Sequence, residues 1–405
     1  MDATAQVPGA QRVLALVAEL GDELVALRRD LHAHPELART EHRTSAVVAD
    51  RLRAAGLEPR TLTGTGLVAD TGPSPDGARR VALRADMDAL AVPDTCGAPF
   101  ASTVPGVAHA CGHDVHTVAV LGAGLVLARL ADEGHLPGGV RLVFQPAEEV
   151  QPGGSLDLMA AGVLDGVSSV YTVHCDPKLD VGQVGTRIGT ITSASNEVHV
   201  TLTGPGGHTS RPYLTGDLLY ALGQVMTTVP AVLGRRFDPR WGVNLTWGTV
   251  HSGQAVNAIP SSATLAGTLR SLDARAWEQA GDEVGSIVDA LVGPLGVHGE
   301  VRVVKGVPPV VNDATGTAVL EQAAYDVVGP DSVVLAEQSL GGEDFAWYLT
   351  SVPGAMARLG TRTPGAHTYD LHQGDLVVDD RAVTHGAALL ARTAVLALLD
   401  QSTTA

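Results

Sequence analysis

The segment 109–116 concentrates side chains that can bind a metal ion: His109, Cys111, His113, Asp114 and His116. Cys111 and His113 are two residues apart, so both can face one point where the backbone is extended or turning. Thiolate and neutral imidazole are preferred ligands of a borderline-soft divalent metal such as zinc, and Gly112 between them lets the backbone bend. The alternative interpretation is a buried structural cysteine beside an aspartate that caps a helix.

An acidic pair, Glu148 and Glu149, follows Pro146. Neighbouring side chains in an extended backbone point to opposite sides, so one carboxylate can hold a metal while the other faces the reacting water. This division of roles suits a metallohydrolase, in which the metal lowers the pKa of its bound water from about 15.7 towards about 7 and a nearby glutamate takes the proton. The alternative is an acidic pair that only faces solvent.

Two further histidines fall in predicted loops or at strand ends: His174 follows an apolar run, and His372 lies near the C-terminus. Each alone is typical of an ordinary loop histidine. Together with Cys111, His113 and Glu149 they make five donors. Five donors are too many for one tetrahedral zinc that keeps an open position. They suit two metal ions about 3.5–4 Å apart that share a bridging group and a water.

The elements that would position these residues alternate between short apolar runs and helical periodicity. We predict strands at 66–69, 80–85, 140–144 and 170–173, and helices at 11–31, 41–55 and 114–134. This alternation predicts an α/β fold with a mostly parallel sheet flanked by helices. Acidic residues follow the second and third runs and His174 ends the fourth, and ligands bind at the carboxyl ends of strands in open α/β sheets.

The pattern changes after about residue 186. Alternating apolar and polar residues predict strands with one solvent-exposed face near 198–202, 243–247 and 263–270, with helices at 216–233 and 274–292 and a fourth strand at 301–304. The order β-α-β-β-α-β is the ferredoxin-like split motif. We therefore predict an inserted ferredoxin-like α+β domain at 187–304 between two parts of the first domain, 1–186 and 305–405, the latter with helices near 315–328 and 381–399.

Composition restricts the possible partners and compartment. The chain has 405 residues, enough for two or three domains, and a net charge of −17, which argues against nucleic acid or an anionic membrane as a partner. Three cysteines form no disulfide framework and fit a reducing compartment. We expect no signal peptide, since Met1–Leu20 has no basic start followed by an apolar core, and no membrane span. The expected location is the cytoplasm.

Eight segments spread over nearly the whole chain share a family pattern. They are Leu31–Leu37 (LHAHPEL), Ala82–Leu90 (ALRADMDAL), His109–Asp114 (HACGHD), Phe144–Glu149 (FQPAEE), Gly206–His208 (GGH), Asn257–Pro260 (NAIP), Gly267–Arg270 (GTLR) and Gly342–Phe345 (GEDF). With these motifs the chain resembles the dinuclear metallopeptidases related to aminoacylase and carboxypeptidase G. Within them it is similar to the amidohydrolase branch that cleaves N-acyl amino acids, including hippurate hydrolases and indole-acetyl-amino-acid hydrolases.

The resemblance implies two divalent metal ions per subunit, with manganese, zinc, cobalt and nickel as the candidates. The implied metal ligands are Cys111, His113, Glu149, His174 and His372. Cys111 would be the bridging ligand, and Glu148 would be the general base and acid that activates a metal-bridging water. Asp86 and Asp88 would orient the imidazoles from behind.

The resemblance also implies that the inserted domain acts as a lid and pairs subunits, giving a homodimer or a higher homo-oligomer. His208 would reach the active site of the partner subunit. Asn257 and Arg270 would contact a small-molecule substrate, since arginine can grip a carboxylate with two hydrogen bonds. An inter-strand ion pair is an equal interpretation of Arg270.

Two departures from the family pattern bear on substrate preference: Tyr213 stands where many relatives carry a histidine, and Cys175 stands where an apolar residue is usual. The implied activity is hydrolysis of an N-acyl amino acid to a carboxylate and a free amino acid. An enzyme alternative is a dipeptidase or N-carbamoyl-amino-acid hydrolase with the same metals. A metal-dependent binding protein without turnover is the third alternative, but metal binding alone does not need Glu148 beside Glu149.

Overall fold

The computed structural model describes residues 9–73 and 80–400. Residues 1–8, the start of the segment that was expected to carry no signal peptide, lie outside the described part. The chain forms two compact units. Unit 1 comprises Met1–Ile191, Val311–Glu337 and Trp347–Ala405, and unit 2 comprises Thr192–Val310 and Gln338–Ala346.

The unit borders lie close to the predicted domain borders at 186/187 and 304/305, with one difference. The segment Gln338–Ala346 belongs to unit 2, whereas the prediction placed all of 305–405 with the first domain. The physical reason is hydrogen bonding to the Leu340 carbonyl, which accepts from Ser193 Oγ at 2.7 Å and from Arg270 Nη1 at 2.6 Å. Such contacts between distant segments leave no local sequence pattern.

Regular elements cover most of the described residues. The helices are α1 Ala10–Ala33, α2 His42–Ala54, α3 His113–Asp132, α4 Gly154–Ala160, α5 Leu218–Arg236, α6 Ala274–Val292, α7 Ala314–Val327, α8 Ala346–Leu349 and α9 Arg381–Leu399. The strands are β1 Arg60–Thr63, β2 Gly66–Thr71, β3 Arg80–Asp86, β4 Gly139–Gln145, β5 Val167–Asp180, β6 Val184–Thr186, β7 Gly189–Thr190, β8 Ala194–Thr203, β9 Gly207–His208, β10 Asn244–Ser252, β11 Ala258–Ile259, β12 Ser262–Ser271, β13 His298–Val307, β14 Val311–Asn312, β15 Val333–Leu335 and β16 Gly354–Arg362.

Unit 1 is built on a sheet with the order β1-β2-β4-β3-β5-β16-β6-β15. The four central strands β4, β3, β5 and β16 are parallel, while β1–β2, β2–β4 and β6–β16 are antiparallel pairs. Every residue of β4 is buried, as expected for a parallel strand covered on both faces. The predicted α/β fold is confirmed, and the sheet is mixed with a parallel centre.

Helices α3 and α9 pack on each other and on α1 within unit 1. Both are long and apolar enough to cross a membrane by composition alone. In the structure 89% of the apolar window of α3 and 72% of that of α9 are buried inside the protein. Core helices of folded domains pass the same test, because a helix that is apolar all round is buried in a large core.

Unit 2 contains an antiparallel sheet with the order β10-β12-β8-β13. Along the chain the strands of this sheet and the two helices follow as β8, α5, β10, β12, α6 and β13, which is the split β-α-β-β-α-β arrangement predicted from the sequence. The short strands β9 and β11 pair with each other in a separate two-stranded sheet. Helices α5 and α6 pack on each other, and both contact the sheet. Burial alternates along β8, as expected where one sheet face is covered and the other is not.

Candidate metal centre

The candidate site of unit 1 lies at the carboxyl ends of its central parallel strands. Strand β3 ends at Asp86, and the Glu148–Glu149 pair follows the end of β4 by a short turn. His174 lies within β5, and His113 is the first residue of α3. Parallel neighbouring strands bring their carboxyl ends to one edge of the sheet, so residues far apart in sequence meet there.

The five predicted ligands come together in unit 1. Cys111 Sγ lies 3.6 Å from His174 Nε2. Glu149 Oε1 lies 3.7 Å from His113 Nε2 and 3.3 Å from His372 Nε2. The donor atoms form two groups, and within each group all atoms lie within 4.8 Å of one another. One group is Cys111, His113 and His174, and the other is Cys111, Glu149 and His372. Cys111 is therefore common to both groups.

The histidine rings are oriented by main-chain carbonyls. His113 Nδ1 lies 2.8 Å from the carbonyl oxygen of Asp88, and His174 Nδ1 lies 2.8 Å from that of Cys175. A ring nitrogen facing a carbonyl must carry the proton, so in the neutral form of each ring Nε2 presents its lone pair. This is the usual arrangement of a metal-binding histidine.

Two buried donor atoms of this site, His113 Nε2 and Glu149 Oε1, make no well-formed hydrogen bond among the described residues, and the closest of the ring nitrogens named above to Glu149 Oε1 is His372 Nε2, at 3.3 Å. Buried polar atoms are normally paired, because an unpaired one costs its full desolvation free energy. A neutral imidazole nitrogen, a carboxylate and a thiolate form a donor set suited to divalent transition metals. The residues present therefore fit a divalent cation.

The pKa values describe which protons would compete with a cation. Burial raises the pKa of the Cys111 thiol, since a thiolate is poorly solvated there. For His113 burial acts to lower the pKa, but the charge of Asp86 and the hydrogen bond with Asp88 outweigh burial, so the pKa is raised. Ligands must lose such protons to bind a metal, so metal binding at this site is expected to depend on pH.

The structure assigns different partners to the two aspartates expected to orient imidazoles. Asp88 Oδ1 lies 3.4 Å from His113 Nδ1. Asp86 Oδ1 instead lies 2.6 Å from Nδ1 of His116 and 3.9 Å from that of His113. Asp86 also forms an ion pair with Arg84 at 2.6 Å. The imidazole that Asp86 orients is therefore that of His116, which is not a predicted ligand.

His116 is the supporting residue that sequence reasoning left without a role. Its Nδ1 faces Asp86, and its Nε2 accepts the backbone N–H of Cys175 at 2.8 Å. It therefore ties β3 to β5 next to His174. The sequence spacing could have indicated this role. His113 and His116 are three residues apart at the start of α3, and residues at that spacing share one helix face.

The Glu148–Glu149 pair adopts a different geometry from that expected. The backbone there bends rather than running extended, because Ala147 before it takes a left-handed conformation with φ of 56°. Oxygens of both carboxylates lie within 4.8 Å of each other and of a His113 nitrogen. The amides of Glu148 and Glu149 donate to the two oxygens of Asp88 at 3.0 and 2.9 Å.

The histidines of the Leu31–Leu37 motif take structural positions. His32 Nδ1 lies 2.8 Å from Asp114 and its Nε2 lies 3.3 Å from Asp94. His34 Nδ1 donates to the carbonyl of Asp30. Burial raises the pKa of Asp114, but Arg28 and then His32 outweigh it, so the pKa is lowered. This buried network anchors the first turn of α3, directly beside His113.

The remaining predicted site residues lie in unit 2. His208 is exposed at the end of β9, and its Nδ1 accepts from the N–H of Ser210 at 3.1 Å. Asn257 is exposed next to β11, and Tyr213 is 79% exposed. Arg270 donates to the Leu340 carbonyl rather than to a carboxylate, so the ion-pair interpretation has no support from this contact.

The chain belongs to Peptidase family M20/M25/M40, whose family model matches residues 82–395. The resemblance found in the motifs is thereby confirmed. A solved structure, the Bacillus subtilis YXEP protein, described as a dinuclear metal binding peptidase from the M20 family, is 31% identical. It aligns with a TM-score of 0.83 over 94% of this chain and 99% of its own.

Three curated relatives extend the comparison. A Rhodococcus jostii protein provisionally named glutamate–cysteine ligase 2-3 is 50% identical over 94% of this chain, and the match spans 47% of that relative's length. N-acetyl-L-cysteine deacetylase of Bacillus subtilis is 33% identical over 93% of this chain and 88% of its own. IAA-amino acid hydrolase ILR1-like 4 of Arabidopsis thaliana is 32% identical over 98% of this chain and 90% of its own.

Proposed function

We propose that this chain is a metallo-amidohydrolase that cleaves the amide bond of N-acyl amino acids to a carboxylate and a free amino acid. The observation that carries the proposal is the pair of donor groups that share Cys111, with Glu148 beside them. Two relatives that match over nearly the whole chain support it by their names, a deacetylase of N-acetyl-L-cysteine and an IAA-amino acid hydrolase.

Cys111, His113, Glu149, His174 and His372 would hold two divalent ions, with manganese, zinc, cobalt and nickel as the candidates. Bound there, the ions would polarise the amide carbonyl and acidify a water molecule. The description of the YXEP protein as a dinuclear metal binding peptidase supports this stoichiometry. The three cysteines are free, which fits the reducing cytoplasm that we propose as the location.

Glu148 acts as general base and then as general acid. Its carboxylate accepts a proton from the attacking water, whose oxygen forms the new bond to the acyl carbon. The carbon–nitrogen bond then breaks, and Glu148 returns the proton to the departing amine nitrogen. Asp88 holds the amides of Glu148 and Glu149, so the carboxylate that moves protons and the carboxylate that binds metal are fixed by the same side chain.

We further propose that the enzyme is a homodimer in which His208 serves the site of the partner. Its side chain is exposed and would donate to the oxyanion that forms on the amide carbonyl. Asn257 and Arg270 would contact the carboxylate of the substrate amino acid, since arginine can donate two parallel hydrogen bonds to a carboxylate. The acidic surface, with a net charge of −17, offers nothing to nucleic acid or an anionic membrane.

The test is a substrate screen on protein reconstituted separately with each of the four metals. N-acetyl-L-cysteine comes first because of the deacetylase relative, followed by N-benzoyl-glycine, an indole-acetyl amino acid, N-carbamoyl amino acids and dipeptides. We expect equal amounts of carboxylate and free amino acid from an N-acyl substrate, and none from the Glu148→Gln control. Faster turnover of dipeptides or carbamoyl amino acids would support the alternative specificities, and no turnover of any amide would contradict the proposal.

A further inference from the structure

Glu41 is a fully buried carboxylate in unit 1, with 0% exposure. Its Oε1 accepts from the backbone N–H groups of Arg39 and Ala147, both at 2.9 Å. Its Oε2 accepts from Thr65 Oγ1 at 2.6 Å. A buried carboxylate is costly unless hydrogen bonds replace its lost hydration, and this one has three.

Glu41 precedes the first residue of α2, yet its side chain does not cap that helix. The cap is provided by Glu36, whose two oxygens accept from the amides of Arg43 at 2.9 Å and Thr44 at 2.7 Å. Free backbone N–H groups at a helix start need such acceptors. Because Glu36 satisfies them, helix capping does not account for the carboxylate of Glu41.

Ala147 is one of the two residues whose backbone N–H groups donate to Glu41 Oε1. Ala147 is buried, and its backbone is in the left-handed region, with φ of 56°. Residues other than glycine rarely adopt this region. The N–H of Ala147 donates to Glu41, and its carbonyl accepts from the N–H of Gly154 at 2.9 Å. Arg39, the other residue bonded to Glu41 Oε1, is also left-handed, with φ of 66°. One carboxylate oxygen thus accepts hydrogen bonds from two residues whose backbones are in the left-handed region.

Three successive amides after β4 are therefore held by two carboxylates. Glu41 binds the amide of Ala147, and Asp88 binds those of Glu148 and Glu149. Asp88 also faces His113, whereas none of the hydrogen bonds found for Glu41 among the described residues involves a predicted metal ligand. We propose that Glu41 is a positioning residue that keeps the Ala147 turn in place, so that Glu148 is presented for proton transfer. The inference rests on the proposed function for its kinetic part.

Two variants separate positioning from general stability. Glu41→Leu removes the acceptor for Ala147, while Thr65→Val removes a bond to the same carboxylate and leaves the Ala147 bond intact. Both lose a buried hydrogen bond, so both should be less stable. We expect Glu41→Leu to lower kcat about tenfold to a hundredfold with KM unchanged, since misplacement by about 1 Å can cost about 10²-fold. Thr65→Val should keep the wild-type kcat.

Glu41→Gln is the conservative variant. Its amide oxygen can still accept from Arg39 and Ala147, and its NH₂ group can donate to the hydroxyl of Thr65. We therefore expect Glu41→Gln to keep most of the kcat that Glu41→Leu loses. All three variants should bind as much metal as the wild type. A loss in Glu41→Gln as large as in Glu41→Leu, or an equal loss in Thr65→Val, would overturn the positioning role.

A second measurement needs neither metal nor turnover. In the metal-free protein, hydrogen exchange of the Ala147 amide should be slow in the wild type, Thr65→Val and Glu41→Gln, and fast in Glu41→Leu. Fast exchange in the folded wild type would overturn the inference even if Glu41→Leu did not fold. Wild-type protein without activity on any N-acyl amino acid would contradict the proposed function alone, and the exchange experiment would still decide the role of Glu41.

Discussion

Gly112 lies between the predicted ligands Cys111 and His113, and its replacement by alanine should disturb the site in a measurable way. Its φ is 83°, in the left-handed region. A Cβ at this position would lie 2.7 Å from Cys175 Sγ and 2.9 Å from Cys175 Cβ. Gly112→Ala therefore carries two penalties, one from the backbone and one from the contact with Cys175.

The two penalties can be estimated separately. A left-handed conformation costs an L-residue about 1–2 kcal/mol, and an extra methyl group in a packed core typically costs about 1–3 kcal/mol. Gly112→Ala should lower the free energy of unfolding by about 2–5 kcal/mol in total. Gly106 is the matched control: its φ is 74° and nothing lies within 4 Å of the position that an added methyl group would occupy, so Gly106→Ala should cost only about 1–2 kcal/mol.

Urea denaturation of the metal-free proteins, followed by circular dichroism, measures both costs. Cys175→Ala removes the sulfur of the closer contact, so in the double variant part of the Gly112→Ala cost should disappear. The expected coupling between the two substitutions is about 1–2 kcal/mol, within the range for residues in contact. Gly112→Ala should also bind fewer metal ions per chain by elemental analysis, because Cys111 and His113 flank the shifted residue.

Two results would refute this reasoning. Equal costs for Gly112→Ala and Gly106→Ala would mean that the contact with Cys175 contributes nothing. Strictly additive effects of Gly112→Ala and Cys175→Ala would mean that the strain at Gly112 does not arise from that side chain.

Three further predictions concern catalysis, assembly and pH. Glu148→Gln should keep two metal ions per chain by elemental analysis yet lose about 10²–10⁴-fold in turnover, the usual contribution of a general acid–base group; loss of the metals instead would reverse the roles of Glu148 and Glu149. Co-refolding Glu148→Gln with His208→Ala should return up to about a quarter of wild-type activity if subunits mix at random into two-fold symmetric dimers. Confirmed heterodimers without activity would show that His208 does not serve the partner's site. The pKa of Asp114 is lower in the folded protein than its ordinary value of 3.8, so its contribution stabilises the fold above that pH and is lost as pH falls below it. The metal-free wild type should therefore lose more unfolding free energy between pH 6 and pH 3.5 than Asp114→Asn, as measured by urea denaturation, and equal losses would contradict the assigned pKa shift.

Local sequence patterns determined much of this protein. Apolar spacing placed α1, whose predicted core positions Val13, Leu16 and Leu20 are buried, and Pro35 marked the region where it ends. Period-two alternation identified the strands of unit 2, and the order of elements identified its split motif. These features are readable because helical and strand periodicities depend only on residues a few positions apart.

The candidate donor set was a prediction from the sequence, because ligand chemistry restricts such a set to a few residue types and parallel strands carry such residues at their carboxyl ends. Cys111, His113 and His174 were expected to meet, and the structure brings their donor atoms within 4.8 Å. The sequence did not indicate which ring nitrogen of His113 or His174 faces the site. That depends on the carbonyls of Asp88 and Cys175, whose positions the packed strands decide.

The supporting contacts were decided by tertiary structure alone. Asp86 pairs with His116 rather than with a predicted ligand, and the 338–346 segment joins unit 2. Glu41 bonds the amide of Ala147 across 106 positions of sequence. A buried carboxylate takes whichever donors the packed chain brings within about 3 Å, and a local pattern carries no information about a donor that arrives from a distant strand.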